Sequence, residues 1–93
     1  MKVKVRYYNL VADYLGRKTE ERFLEDGATC YSLVRVLSEE NESFRRLAFT
    51  DEGKISHRLR IFRNGQMIVD ANIRLADQDE IQMFPAVSGG CYS

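Results

Sequence analysis

Over residues 2–8 apolar and charged positions alternate, with Val3, Val5 and Tyr7 at one parity and Lys2, Lys4, Arg6 and Tyr8 at the other. A period of two puts the two sets on opposite faces, so the segment predicts a strand buried on one side. Asn9 then offers a cap to a short helical turn carrying Leu10, Val11, Tyr14 and Leu15, and Gly16 suits the left-handed residue that ends it. A second strand is expected around residues 19–25, with Phe23 as its main apolar anchor, before the Asp26-Gly27 turn.

The period then changes. After Thr29, a capping residue, Cys30, Leu33, Val34 and Leu37 recur at the i, i+3, i+4, i+7 spacing of one helix face, with Arg35, Ser38 and Glu39 on the other. This is the principal helix. Phe44, Leu47 and Ala48 predict a shorter helical turn over residues 43–49, closed by Asp51-Glu52-Gly53. Residues 59–63 predict a strand with Leu59 and Ile61 on one face and Arg60 and Phe62 on the other. Asn64-Gly65 is a two-residue hairpin signal, returning through Met67 to Val69. A turn over residues 75–79 leads to a last strand over residues 80–86, Ile81 and Met83 inward, Gln82 and Phe84 outward. Pro85, with no amide hydrogen, is expected to stop its pairing.

Two opening strands, a crossover helix and a hairpin predict an α+β fold, a mixed sheet covered on one face by one main helix. The right-handed crossover rule sets the first and last long strands side by side and parallel, which is the β-grasp. Such a chain of 93 residues fits one domain and leaves no room for a core plus a walled cleft, so function belongs to its surface or its ends. With 14 basic and 14 acidic residues it shows no nucleic-acid footprint. No uninterrupted apolar run is present, which argues against a membrane span or signal core and for a cytoplasmic protein. Cys30 and Cys91 form no CxxC pair, and neither zinc, a disulfide framework nor a four-thiolate cluster is indicated. Cys30 belongs to the apolar helix stripe, His57 reads as a surface residue, and Asp77, Asp79 and Glu80 read as turn-shaping rather than calcium-binding. No catalytic or metal-ligating residue is expected.

At the carboxyl end Phe84-Pro85-Ala86-Val87-Ser88-Gly89-Gly90 abandons both periodicities. This stretch resembles the terminus of the MoaD/ThiS family, which includes the small subunit of molybdopterin synthase. The leading strand, the helix, the Asn64-Gly65 turn and the turn over residues 75–79 follow that family's order, so the resemblance covers nearly the whole chain. It implies a ubiquitin-like sulfur carrier over residues 1–90 that is a cosubstrate and not an enzyme, with no bound cofactor. An adenylating enzyme resembling the ubiquitin-activating enzymes would use ATP to activate the Gly90 carboxylate, and sulfur transfer would convert it to a thiocarboxylate. Gly89 and Gly90 lack Cβ atoms, which lets such a tail thread a narrow channel.

Two positions depart from the family pattern. Gln78 stands where relatives commonly carry glycine, at a cost on the order of 1 kcal/mol if its φ is positive. Cys91-Tyr92-Ser93 follows Gly90 and locks its carboxylate in a peptide bond. Resemblance to branches with short extensions implies a removable tail over residues 91–93, cut at the Gly90-Cys91 junction by a zinc-dependent JAMM-type protease. The alternatives are an adventitious addition and an N-to-S acyl shift by Cys91. Those branches feed a sulfur-accepting synthase in amino-acid or other sulfur-metabolite biosynthesis. Other readings are the small subunit of molybdopterin synthase, a protein modifier conjugated through Gly90, and an interaction module with an inert terminus.

With the helix on the face of Val3, Val5, Leu59, Ile61, Ile81 and Met83, the opposite face presents Tyr8, Phe62 and Phe84 among Lys4, Arg6 and Arg60. Exposed aromatics beside arginine suggest a docking face for the adenylating enzyme, made of Tyr8, Arg60, Phe62, Phe84, Pro85 and Val87. Ordinary solvated sheet is the competing reading.

Overall fold

The alternating first segment is a strand in the computed structural model, which describes residues 1–86: β1 spans Lys2–Tyr7, with Val3, Val5 and Tyr7 buried. It is followed by α1 (Leu10–Leu15), β2 (Thr19–Phe23), α2 (Cys30–Glu40), α3 (Glu42–Ala48), β3 (Leu59–Arg63), β4 (Gln66–Met67) and β5 (Glu80–Pro85). The strands form one sheet in the order β2-β1-β5-β3-β4. β1 and β5 are parallel neighbours at its centre, and the other pairings are antiparallel. This is the predicted β-grasp.

The main helix starts where Thr29 accepts a hydrogen bond from the Ser32 amide, and Ser32 Oγ returns one from the Thr29 amide. Cys30, Leu33, Val34 and Leu37 are fully buried against Val3, Val5, Leu59, Ile61, Ile81 and Met83 in one core, to which α3 adds Phe44 and Leu47. Ser38, assigned by its period to the exposed side, is buried; its hydroxyl donates to the Arg35 carbonyl one turn back, which satisfies it without solvent. Asn41 separates the two helices. Its side chain accepts from the Phe44 amide at 2.8 Å and donates to the Tyr14 carbonyl at 2.5 Å, tying α3 to α1.

Other expectations need correction. Asn9 precedes α1 but does not cap it with its side chain, because its φ of 53° differs from the extended backbone that a capping residue uses. The hairpin return strand is only Gln66–Met67, and Val69 is exposed. β5 does end at Pro85, as expected: Pro85 still stands opposite Leu59, and the Ala86 amide just beyond the strand donates to the Arg58 carbonyl at 2.7 Å. Amides alternate in direction along a strand, so the amide that Pro85 lacks would have faced β1. On that side the last bond runs from the Tyr8 amide to the Met83 carbonyl, and Pro85 has no amide to supply the next.

Phe23 is 80% exposed and anchors nothing. The β1–β2 register explains why: Val5 faces Glu20 and Val3 faces Arg22, so the inward positions of β2 are charged, while Phe23 shares the outer side with Lys2. Under this edge lies an ion network. Arg17 reaches Glu20 at 2.8 Å, Arg22 reaches Glu40 at the end of α2 at 2.6 Å, and the buried Tyr7 hydroxyl donates to Glu20. Burial, then Glu20, raises the Tyr7 phenol well above its usual value. Burial acts to raise the Glu20 carboxyl as well, but the Arg17 and Tyr7 hydrogen bonds outweigh it and hold the group below the usual range. Glu40 is lowered chiefly by its hydrogen bond from Arg22.

A second polar cluster pins the start of β5. The buried Asp79 carboxylate accepts from Arg63 Nε at 2.8 Å, Asn64 Nδ2 at 3.0 Å and the Ala76 amide at 2.8 Å. Asn64 and Gly65 both have positive φ, as the two-residue hairpin requires, and Asn64 Oδ1 accepts from the Glu80 amide. Gln78 has a φ of 71°, the conformation for which glycine is the less costly residue, and its amide donates to the Lys2 carbonyl at 2.7 Å. Asp77 and Asp79 thus shape the turn: Asp77 accepts from the Lys2 amide.

The edge network predicts an acid-sensitive fold. Carboxyls lowered in the folded chain contribute stability that is complete above their unfolded values near about 4.3 and is lost as pH falls through the folded ones. Urea midpoints should stay level from neutral pH to about 5 and then decline. Glu20→Gln should cost about 2 kcal/mol at pH 7 and make the acid decline shallower. An unchanged midpoint at pH 7 would show that the network does not hold β2.

Candidate functional site

On the sheet face away from the helices, the registers set the outward residues in rows. Glu21, Lys4 and Glu80 form one row from β2 through β1 to β5, and Arg6, Gln82, Phe62 and Met67 form the next. The last, nearest the carboxyl end of β5, contains Phe84 and Arg60, with Tyr8 beside Phe84. One end of this face is therefore an alternation of charges, and the other is aromatic.

The charged end neutralises itself, with Lys2 to Glu21 at 3.6 Å and Arg6 to Glu80 at 2.9 Å. At the aromatic end the Tyr8 and Phe84 rings stack at 4.2 Å with 9° between their planes, and Phe62 meets Phe84 edge-on at 5.5 Å. These are the favourable offset and T-shaped geometries of aromatic pairs. Tyr8 is held there although β1 has ended, since its amide donates to the Met83 carbonyl at 3.1 Å and Gln82 Nε2 donates to its hydroxyl at 3.4 Å. The three rings are half-buried by one another, and half-exposed Met67 extends their surface. A shallow groove of about 570 Å³ runs beside them between Arg60, Phe62, Gly65, Gln82, Phe84 and Pro85.

Of the expected docking residues, Tyr8, Arg60, Phe62, Phe84 and Pro85 come together at this end. Val87, Gly89, Gly90 and Cys91 lie outside the described residues, as does the rest of the segment 87–93. Met67 was not singled out in the sequence, yet a two-residue turn at Asn64-Gly65 already sets it opposite Phe62. Among the described residues no group of three or more His, Cys, Asp or Glu is arranged to hold a metal ion, and no helix is long and apolar enough to cross a membrane. His57 is exposed.

The fold places this chain in a class: it is a ubiquitin-like β-grasp protein. The ThiS family profile matches residues 5–90, and the chain belongs to the ThiS family, whose members are sulfur carriers or small modifiers and not enzymes. No curated protein matches its sequence. Among solved structures, SAMP1 from Haloferax volcanii is similar at 23% identity, over 97% of this chain and 100% of that one, with a TM-score of 0.85. The HVO 2177 protein of the same organism is similar at 25% identity, over 97% of this chain and 87% of its own, with a TM-score of 0.85. A complex of subunits 1 and 2 of molybdopterin-converting factor from Helicobacter pylori contains a chain 24% identical, covering 97% of this one and 100% of its own, at a TM-score of 0.61.

Cys30 takes no part in the site. It is fully buried, and burial pushes its thiol up to about 12. Iodoacetamide at pH 8 should leave Cys30 unmodified in the native chain and alkylate it in urea, read from the mass of its peptide. Equal labelling in both would contradict its burial.

Proposed function

We propose that this protein is a sulfur carrier whose working group is the Gly90 carboxylate, set free by removal of Cys91-Tyr92-Ser93. The observation that carries the proposal is the extent of the family match, which runs through the diglycine and has Gly90 as its last residue. Residues 1–90 are then the carrier domain and residues 91–93 a tail, removed by a zinc-dependent JAMM-type protease. A carboxylate is a poor electrophile. Attack of its oxygen on the α-phosphorus of ATP gives an acyl-adenylate and pyrophosphate, and a sulfide-equivalent nucleophile then displaces AMP to leave the thiocarboxylate. The ATP is bound by the adenylating enzyme, and the carrier itself holds no cofactor.

Docking on that enzyme falls to the aromatic end of the sheet. Tyr8, Phe62 and Phe84 give it a preorganised apolar surface, and β5 runs from that surface into the tail, so docking and delivery share one strand. A sulfur-accepting synthase in the biosynthesis of an amino acid or another sulfur-containing metabolite would take the sulfur. ATP-dependent activation fits a cytoplasmic carrier. The H. pylori complex of two factor subunits favours a second reading, in which the same chain end inserts into a larger synthase subunit.

Reconstitution tests the proposal. With the adenylating enzyme of the same cells and ATP, the chain ending at Gly90 should release pyrophosphate, and the chain ending at Ser93 should not. Phe84→Ala in the shorter chain should raise its KM about 30-fold. Equal pyrophosphate release from both chains would contradict the masked-carboxylate reading. Isopeptide-linked Gly90 on cellular proteins would favour a modifier instead.

A further inference from the structure

We infer that the partner docking on the aromatic end is a protein surface that presents a carboxylate side chain within an apolar rim, and that Arg60 receives it. The inference rests on the docking role proposed above. Arg60 stands opposite Phe84 in the β3–β5 register and is exposed on the same face as Phe62. Among the described residues its guanidinium makes one polar contact, from Nη1 to the Met67 sulfur at 3.6 Å, a weak acceptor. The carboxylates of this face, Glu21 and Glu80, lie at its other end and are engaged there with Lys2 and Arg6. The cation–π contact found among the described residues is that of Arg17 over Tyr7, away from this cluster.

In the free chain water solvates Arg60. A partner that covers Phe62, Phe84 and Met67 removes much of that water, because Arg60 lies in the groove with Phe62, Phe84, Gln82 and Pro85 and its guanidinium touches the Met67 sulfur. A guanidinium cannot give up its proton, and an ionised group taken from water without a counter-charge is strongly disfavoured. A purely apolar footprint is therefore rejected, whereas a carboxylate at that point accepts two parallel hydrogen bonds from the guanidinium fork. A second copy of this chain fits poorly, since the carboxylates that its same face would offer, Glu21 and Glu80, are already paired with Lys2 and Arg6.

The test is binding kinetics of the full chain, and of the chain ending at Gly90, on the immobilised adenylating enzyme of the same cells. Arg60 is exposed, so its variants should fold, and circular dichroism checks this. Arg60→Met should raise the dissociation rate about 30-fold with little change in the association rate, Arg60→Glu should do so further, and Arg60→Lys should fall between. Binding by Arg60→Met as tight as that of the unchanged chain, while Phe84→Ala weakens it, would overturn the inference and leave the docking face standing. An effect confined to the association rate and abolished by salt would also overturn it, since that is steering from the rim. If Phe84→Ala changes nothing either, the docking role fails and the inference falls with it.

Discussion

The position of β5 governs the rest of the structure. It is hydrogen-bonded on both sides, parallel to β1 and antiparallel to β3, and its start is pinned by the buried Asp79 carboxylate. A one-residue slip would turn Ile81 and Met83 out of the core and Phe84 into it, so the apolar contacts and the polar clamp enforce one register. That register brings Phe84 beside Tyr8 and Phe62 and leads the chain out at the aromatic end of the sheet.

The edge of the sheet is built on a different principle. β2 has no buried apolar residue; Glu20 and Arg22 point inward and meet Arg17, Glu40 and Tyr7 instead. Charge on the inner side of an edge strand discourages edge-to-edge pairing with another chain. The cost is a helix end held by charges that can be titrated. The aromatic face and the tail root belong to the central strands, two strands away on the β5 and β3 side, and draw their rigidity from the apolar core.

Much of this was legible in the residues because local periods and turn chemistry agree with the fold. The alternation over β1, the stripe of α2 and the Asn64-Gly65 turn each lead to their observed element. The failures come where a neighbour decides the outcome. Phe23 looks like an anchor until β1 sets its parity. Ser38 looks solvated until its own helix accepts its hydroxyl. The outward parity of Tyr8, Phe62 and Phe84 was readable, but their contact depends on which strands are neighbours, and that came from the crossover rule. No period or spacing points to acyl activation at Gly90; resemblance to the family does.

The proposed chemistry asks little of the folded domain beyond a rigid face for docking and an unbranched end. Intact mass of the protein isolated from its native cells tests the central claim, that Gly90 is freed and loaded with sulfur. The account predicts a chain ending at Gly90 with one carboxyl oxygen replaced by sulfur. A chain found only at full length through Ser93, in cells whose sulfur pathway is active, would contradict it.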